Sequence, residues 1–171
     1  MYKLDKKQNV PISLQEAWNF LKSPKHFEKV TPAAMGFKII DGANKPTYAG
    51  QLISYEVTPL LGIKTKWVSK ITQVEPLKYF TDEQLYGPYA LWHHTHFIKE
   101  IDGGVEMEDL IYYKDPLGFI GRLFHPILVK PQLEKIFKYR SEKLIEHFGE
   151  YKYDEEKNKH ILVSKRLAFR R

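Results

Sequence analysis

One short segment brings together several side chains that could do chemistry. It spans residues 92–96, with the sequence WHHTH, and it follows a Gly-Pro-Tyr sequence that favours a turn. Its aromatic residues favour a β-strand. Because side chains alternate between the two faces of a strand, Trp92, His94, His96 and Ile98 would share one face. That face would present an indole and two imidazoles side by side.

A second strand-like segment, residues 105–114, follows a pair of glycines, and this pattern predicts a β-hairpin. A turn at Asp102-Gly103 would place His96 opposite Asp109. A turn at Gly103-Gly104 would shift the register but would leave Asp109 on the face that carries His96. In both cases a carboxylate joins the two imidazoles. The same surface would carry three larger side chains, Met107, Ile111 and Tyr113.

The candidates for catalysis are His94, His96 and Asp109. A carboxylate beside an imidazole fixes its tautomer and raises its pKa, so the group could act as a general acid or base on a carbonyl compound. The group could instead be the polar wall of a ligand cavity, which is the interpretation we favour. Two histidines two residues apart on a strand could also bind zinc with a carboxylate. With three candidate ligands and no cysteine, we expect no metal and no other cofactor.

The C-terminal part of the chain predicts a long amphipathic helix from about Pro131 to a stop at Gly149. Its apolar stripe includes Phe137 and Leu144, and Arg140 lies on the same stripe, one helical turn from each. A buried guanidinium at this position needs an anionic partner or ligand, unless its side chain reaches solvent.

The remaining patterns predict the elements that position these residues. A strand over residues 2–10 precedes two short helices, the first of which is capped by Ser13 and Glu16. About six consecutive strands then imply an antiparallel meander. The apolar stretch Phe119–Val129 is interpreted as a short helix or a lid. The predicted fold class is therefore α+β, with a long helix across an antiparallel sheet and room for a ligand between them.

Composition excludes several classes of protein. The chain has 171 residues, a net charge of +6 and no cysteine, so disulfides and thiolate sites are absent. It contains no phosphate-binding loop, dinucleotide fingerprint or G-x-S-x-G motif. The basic residues are not interleaved with an RNA-binding aromatic motif, so we predict no nucleic-acid partner. Without the apolar core of a signal peptide or a stretch long enough to span a membrane, the chain is predicted to be cytoplasmic. Its oligomeric state stays open.

The order of elements resembles the START-like, helix-grip superfamily, also called SRPBCC. Local motifs are similar to those of a bacterial ligand-binding subgroup, whose members are identified as polyketide cyclase-like or cell-division-inhibitor-like. The motifs are Gly87-Pro88-Tyr89, Trp92-x-His94-x-His96, Gly104, Asp109 and Ile136-Phe137-x-Tyr139-Arg140. The resemblance covers roughly residues 2–148. It implies a curved antiparallel sheet of about seven strands that grips the C-terminal helix around a deep cavity, with two short helices after the first strand. Superfamily members bind lipids, hormones and polyketides, and a few catalyse reactions.

We therefore expect residues 1–149 to form one ligand-binding domain and residues 150–171 to form a charged tail. The expected partner is a small hydrophobic molecule of lipid, polyketide or aromatic type, held between the sheet and the C-terminal helix. The expected binding residues are Trp92, His94, His96, Ile98, Met107, Asp109, Ile111, Tyr113, Phe137 and Arg140.

Two alternative functions accompany this expectation. One is a cyclase- or hydratase-like enzyme that uses the His/Asp pair for acid–base chemistry. The other is a lipid carrier at a membrane surface. Its membrane contact would use Leu60-Leu61, Phe119–Val129 and the basic tail.

Overall fold

The computed structural model describes residues 1–58, 63–116 and 118–153. Within these residues, seven strands form one antiparallel sheet in the order β1-β7-β6-β5-β4-β3-β2. The strands are β1 (Tyr2–Val10), β2 (Lys38–Asp41), β3 (Leu52–Val57), β4 (Thr65–Glu75), β5 (Tyr79–Tyr86), β6 (Leu91–Ile101) and β7 (Gly104–Lys114). Strands β2 to β7 form the predicted meander, and β1 pairs with β7 along its whole length.

The helices follow the predicted order. They are α1 (Leu14–Leu21), α2 (Lys25–Lys29), α3 (Gly118–Phe124) and α4 (Lys130–Phe148), with a 3₁₀ turn at Ala33–Met35 and a π-helical turn at His125–Val129. The α+β class, the two short helices after the first strand and the long C-terminal helix are confirmed. Among the described residues, no helix combines the length and the apolar character needed to cross a membrane.

The capping box of α1 forms as the sequence predicts. The Glu16 backbone N–H donates to the Ser13 hydroxyl at 3.3 Å, and the Ser13 N–H donates to the Glu16 carboxylate at 2.9 Å. The helix then buries Trp18 and Leu21 in a cluster that also contains residues of β6, β7 and α4. Helix α1 therefore covers one end of the β6–β7 hairpin.

The β6–β7 hairpin adopts the first of the two predicted registers. Ile101 pairs with Gly104, so Asp102 and Gly103 form the turn, and His96 pairs with Asp109. Gly103 has a φ of +74°, a conformation that glycine adopts without steric cost. The hairpin register therefore places the carboxylate beside the imidazoles.

The helical segment that leads into the C-terminal helix begins earlier in the chain than the sequence predicts. Helical structure begins at Gly118, widens to the π-helical turn at His125–Val129 and continues as α4 from Lys130. Pro126 and Pro131 do not stop it, because each stands in the first turn of its segment, where proline is tolerated. The stretch interpreted as a short helix or lid is thus helical. Leu60-Leu61 and residues 154–171 of the predicted tail lie outside the described residues.

Two apolar clusters fill the ends of the space between the sheet and the helices. One lies under α1 and includes Ile98, Met107 and Leu144. The other lies under the first half of α4 and includes Ile111 and Tyr113. The middle of the same sheet face, between the two clusters, carries the polar residues.

Candidate functional site

A cavity of about 180 Å³, measured as the space open to the centres of water-sized molecules, lies between the sheet and α4. Helix α2 contributes Phe27, and strands β3 to β6 contribute one wall. The opposite wall comes from α4. Most of the lining residues are apolar or aromatic. Those on strands β3 to β6 include Ile53, Tyr55, Trp67, Ile71, Phe80 and Trp92.

Five of the ten predicted binding residues line this cavity. They are Trp92, His94, His96, Phe137 and Arg140. Both histidines are buried, with 7% and 4% of their surfaces exposed. Asp109 does not line the cavity, but it contacts three of the residues that do, as described below. The predicted motif thus faces a half-open cavity, with both histidines buried inside it.

The other four predicted residues lie on the expected sheet face but pack into the two apolar clusters. Ile98 and Met107 pack in the cluster under α1, and Ile111 and Tyr113 pack in the cluster under α4. Alternation along the strands places them on this face, but helices rather than open space cover both ends of the hairpin. These four residues therefore do not line the cavity.

Tyr113 has its own polar partner in that second cluster. Its hydroxyl lies 2.9 Å from Nε2 of His125, in the π-helical turn, and Tyr2 stacks on the same imidazole. Burial raises the pKa of Tyr113 to about 12, with the Asp115 carboxylate acting in the same direction. Tyr113 therefore anchors the start of the C-terminal helical segment.

The polar end of the cavity is a cluster of five ionisable residues. His94 and His96 lie between two carboxylates, Asp109 on β7 and Asp82 on β5. Oδ1 of Asp109 is 3.0 Å from His94 Nε2, 2.8 Å from His96 Nδ1 and 3.2 Å from Arg140 Nη1. Oδ1 of Asp82 is 3.3 Å from His96 Nε2 and 3.8 Å from His94 Nδ1. Each imidazole therefore spans the two carboxylates, and the two rings do so in opposite orientations.

The two carboxylates of this cluster are ionised. Burial alone would raise the pKa of Asp109, but the Arg140 guanidinium and the close contacts with both imidazoles hold it well below its usual range. Burial opposes the charge of Asp82 in the same way. The hydrogen bond from His96 and the charges of both histidines outweigh it and lower the pKa of Asp82.

The two histidines shift in opposite directions. Burial, helped by the charge of His96, lowers the pKa of His94 to about 4, so this imidazole is neutral at neutral pH. Burial also acts against a charged His96, but the neighbouring carboxylates of Asp109 and Asp82 raise its pKa. A carboxylate only accepts, so neutral His94 donates Nε2–H to Asp109 and keeps a lone pair on Nδ1, towards Asp82.

Arg140 is held inside the protein rather than reaching solvent. Its side chain is mostly buried, it pairs with Asp109, and its guanidinium lies 5.6 Å from the Phe27 ring centroid. Its Nε has no hydrogen-bond partner among the described residues. A buried donor without a partner costs about 1–3 kcal/mol.

Sequence reasoning did not identify Asp82 as a site residue. Asp82 pairs with His94 across β5 and β6 and lines the cavity. Ser69 donates to its Oδ2 at 3.3 Å, and the Trp67 indole donates to Ser69 at 3.0 Å. Alternation along the predicted strand could have indicated the face on which Asp82 lies. The turn between β5 and β6 does not fix the register of the two strands, however, so the pairing of Asp82 with His94 could not be predicted.

Comparisons with solved structures agree with the fold. No family model matches the chain, and no curated protein matches it. Solved structures do match. A protein from Chromobacterium violaceum has a TM-score of 0.67 at 8% identity, over 88% of this chain and all of that one. Ginseng major latex-like protein 151 from Panax ginseng has a TM-score of 0.63 at 11% identity, over 86% of this chain and 97% of that one.

A third structure, of a protein from Thermus thermophilus, gives the same result, with a TM-score of 0.62 at 12% identity. It covers 85% of this chain and 99% of that one. The chain has the helix-grip fold. The resemblance seen in the sequence is therefore confirmed at the level of the fold, and the helix-grip sheet places its motif at the cavity.

Proposed function

We propose that this helix-grip protein binds a small, largely hydrophobic molecule in the cavity between the sheet and α4. The observation that carries the proposal is a half-open, mainly apolar cavity with one charged end. Apolar walls supply affinity, and a few polar groups fix orientation, which is the usual division of roles in a ligand pocket.

The polar end indicates which functional group the ligand carries. Arg140 lines the cavity with a cationic side chain, and His94, whose Nε2 donates to Asp109, offers a lone pair on Nδ1. A carbonyl or carboxylate oxygen would accept from Arg140, and a hydroxyl would donate to His94. We therefore infer a ligand with a carbonyl or hydroxyl group at one end of an apolar body.

The size of the cavity favours the aromatic type over the lipid and polyketide types. A cavity of roughly 150 Å³ accommodates one benzene ring. The space observed here, about 180 Å³, suits one substituted ring. Trp67 and Trp92 pack edge to face beside it, with ring centroids 5.2 Å apart, and would contact such a ring directly.

Native mass spectrometry of the purified protein tests the proposal first, because it detects a molecule that co-purifies. Ligand-observed NMR with a panel of one-ring aromatic ketones, aldehydes and phenols then tests binding directly. Neither a co-purified molecule nor binding by any member of the panel would contradict the proposal.

A matched pair of variants locates the binding site. Ile53 lines the cavity, whereas its neighbour Leu52 is exposed on the opposite face of β3. We expect Ile53→Phe to fill part of the cavity and to weaken binding at least about tenfold. A loss of about 1.4 kcal/mol of binding free energy has that effect. Leu52→Phe should bind as the unaltered protein does. Equal affinities for the two variants would place the ligand elsewhere.

Membrane contact is a second candidate, and an exposed apolar patch favours it. Leu123, Phe124 and Ile127 expose 62%, 48% and 70% of their surfaces at the helical turns before α4. Apolar side chains on one helical segment can insert into a lipid interface. Co-sedimentation with anionic vesicles at low salt should then fall when Leu123 and Ile127 are changed to Ser, and absence of any sedimentation rules this candidate out.

Acid–base catalysis stays a prediction. His94, whose pKa is lowered, and His96, whose pKa is raised, could pass a proton to or from a carbonyl ligand. Once a ligand is identified, its turnover by the protein and by a His96→Ala variant tests that step.

A further inference from the structure

The orientation of the two histidines distinguishes the two sides of the polar cluster. On one side, His94 Nε2 and His96 Nδ1 face Asp109, which also binds Arg140. On the other side, His94 Nδ1 and His96 Nε2 face Asp82, and both histidines and Asp82 line the cavity. The Asp109 side contains a fixed cation, whereas the Asp82 side opens to the cavity.

We propose that Asp82, His94 and His96 bind a divalent transition-metal ion of the zinc class. One ligand atom from each residue lies within 4.8 Å of the others. His96 Nε2 and His94 Nδ1 lie 3.3 Å and 3.8 Å from Asp82 Oδ1. Tetrahedral ligands at 2.0–2.1 Å from zinc are themselves roughly 3.4 Å apart, so small side-chain rotations would complete the set.

The groups behind these three residues provide the second argument. Histidines that bind a metal usually donate their other N–H to a carboxylate, and carboxylate ligands are themselves hydrogen-bonded. Here one oxygen of Asp109 contacts the far nitrogen of both imidazoles. Ser69 donates to Oδ2 of Asp82, which leaves Oδ1 directed at the histidines. Hydrogen bonds therefore hold His94 and Asp82 in place on the side away from the proposed ion, while Asp109 lies against the far nitrogen of His96 without a hydrogen bond to it.

The position of the set determines what kind of site it is. Three protein ligands leave at least one coordination position of a zinc-class ion open, as in catalytic rather than structural sites. Since the three residues line the cavity, the open position would face the cavity and its occupant. From the sequence we expected no metal, because His94, His96 and Asp109 gave only three candidate ligands and the chain has no cysteine. In the structure, Asp82 rather than Asp109 is the carboxylate that lines the cavity beside both histidines.

The test uses the full-length protein after treatment with a chelator, titrated with Zn²⁺ against a chromophoric competitor. No organic ligand is added, so the result does not depend on the proposed function. We expect one ion per chain. Asp82→Ala and His96→Ala should abolish tight binding, and Ser69→Ala should weaken it about 10- to 100-fold, the usual effect of removing a group that orients a ligand.

His93→Ala is the matched control, because His93 neighbours the site in sequence but pairs with Glu83 in a surface-exposed contact. It should bind Zn²⁺ as the unaltered protein does. Circular dichroism shows whether each variant folds.

X-ray absorption at the zinc edge of the unaltered protein decides the question even if the variants do not fold. Two imidazole ligands with oxygen donors support the site. Fewer than two imidazoles, affinity that survives both ligand substitutions in folded variants, or no saturable binding would overturn it.

Discussion

Arg140 and Asp109 form the ion pair on which the balance of charge in the cluster depends. The two carboxylates, Asp82 and Asp109, face the positive Arg140 and His96, whose pKa is raised, while His94 is neutral at neutral pH. Buried charges are tolerated only when they are paired, because desolvation otherwise costs several kcal/mol for each ion. Each residue of the cluster therefore depends on the others for its ionisation state.

Replacing Arg140 by Met should leave Asp109 buried without its strongest positive partner. We expect the free energy of unfolding to fall by about 3–5 kcal/mol, as is usual when one member of a buried pair is removed. Urea denaturation measures the change. Lys138→Met is the control on the same helix, because the Lys138 side chain is 79% exposed and should matter little. Equal effects of the two substitutions would contradict a buried ion pair.

The stability of the metal-free protein should depend on pH through His94. Its pKa is about 4 in the folded chain and about 6.5 in an unfolded one. Between these two pH values the unfolded chain binds one more proton than the folded chain. The stabilising contribution of neutral His94 is therefore complete above pH 6.5 and is lost as the pH falls towards 4. The slope reaches about 1.4 kcal/mol per pH unit at most.

Urea titrations between pH 4.5 and 7.5 with EDTA present measure this slope. The charged groups around His94 are Asp82 on β5, His96 on β6, Asp109 on β7 and Arg140 on α4. His96 acts in the opposite sense, because its raised pKa removes stability only as the pH rises above 6.5. A His94→Gln variant should show a shallower slope, and an unchanged slope would assign the dependence to other groups.

At the scale of elements, local sequence patterns predicted the features that depend only on residues close in sequence. The hairpin, its two registers and the capping box were readable because turn chemistry and alternation act over a few residues. What covers each part of a sheet face depends on distant packing. Ile98 and Tyr113 share the face of His94, yet α1 covers the first and the helical segment before α4 contacts the second. Asp82 was missed for the same reason, since its register depends on a longer turn.

Gly104 provides a test of how closely β1 and the hairpin pack. A Cβ atom at this position would lie 2.2 Å from the backbone oxygen of Val10, so the end of β1 would have to move. We expect Gly104→Ala to lower the free energy of unfolding by about 1–3 kcal/mol, as other overpacked sites do. Lys114→Ala, at the exposed other end of β7, should change it little. A tolerated alanine at Gly104 would mean that β1 adjusts freely.

At the scale of the whole molecule, the predicted boundary at residue 149 can be tested by truncation. The strands and both apolar clusters come from residues 2–148. Tyr151, however, donates a hydrogen bond of 2.6 Å to the carbonyl of Asp102 in the β6–β7 turn. A chain that ends at residue 153 should keep its stability to within about 0.5 kcal/mol. A chain that ends at residue 149 should lose a further 0.5–1.5 kcal/mol or so, the worth of one hydrogen bond.

Thermal and urea unfolding of the two truncated chains measure both effects. A large loss on removal of residues 154–171 would show that the folded domain extends beyond the predicted boundary. Equal stability of the two truncated chains would show that the Tyr151 contact contributes nothing.

The pairing of β1 with β7 also has a consequence for the order in which the chain folds. Strands β2 to β7 can pair one after another through short connections. Tyr2, by contrast, pairs with Tyr113, which lies at the far end of the sheet in sequence. Closing so long a loop delays the contact, so we expect β1 to dock after the transition state. Val10 and Val105 face each other across this boundary, and both are fully buried. In stopped-flow experiments, Val10→Ala should mainly accelerate unfolding, whereas Val105→Ala should also slow folding.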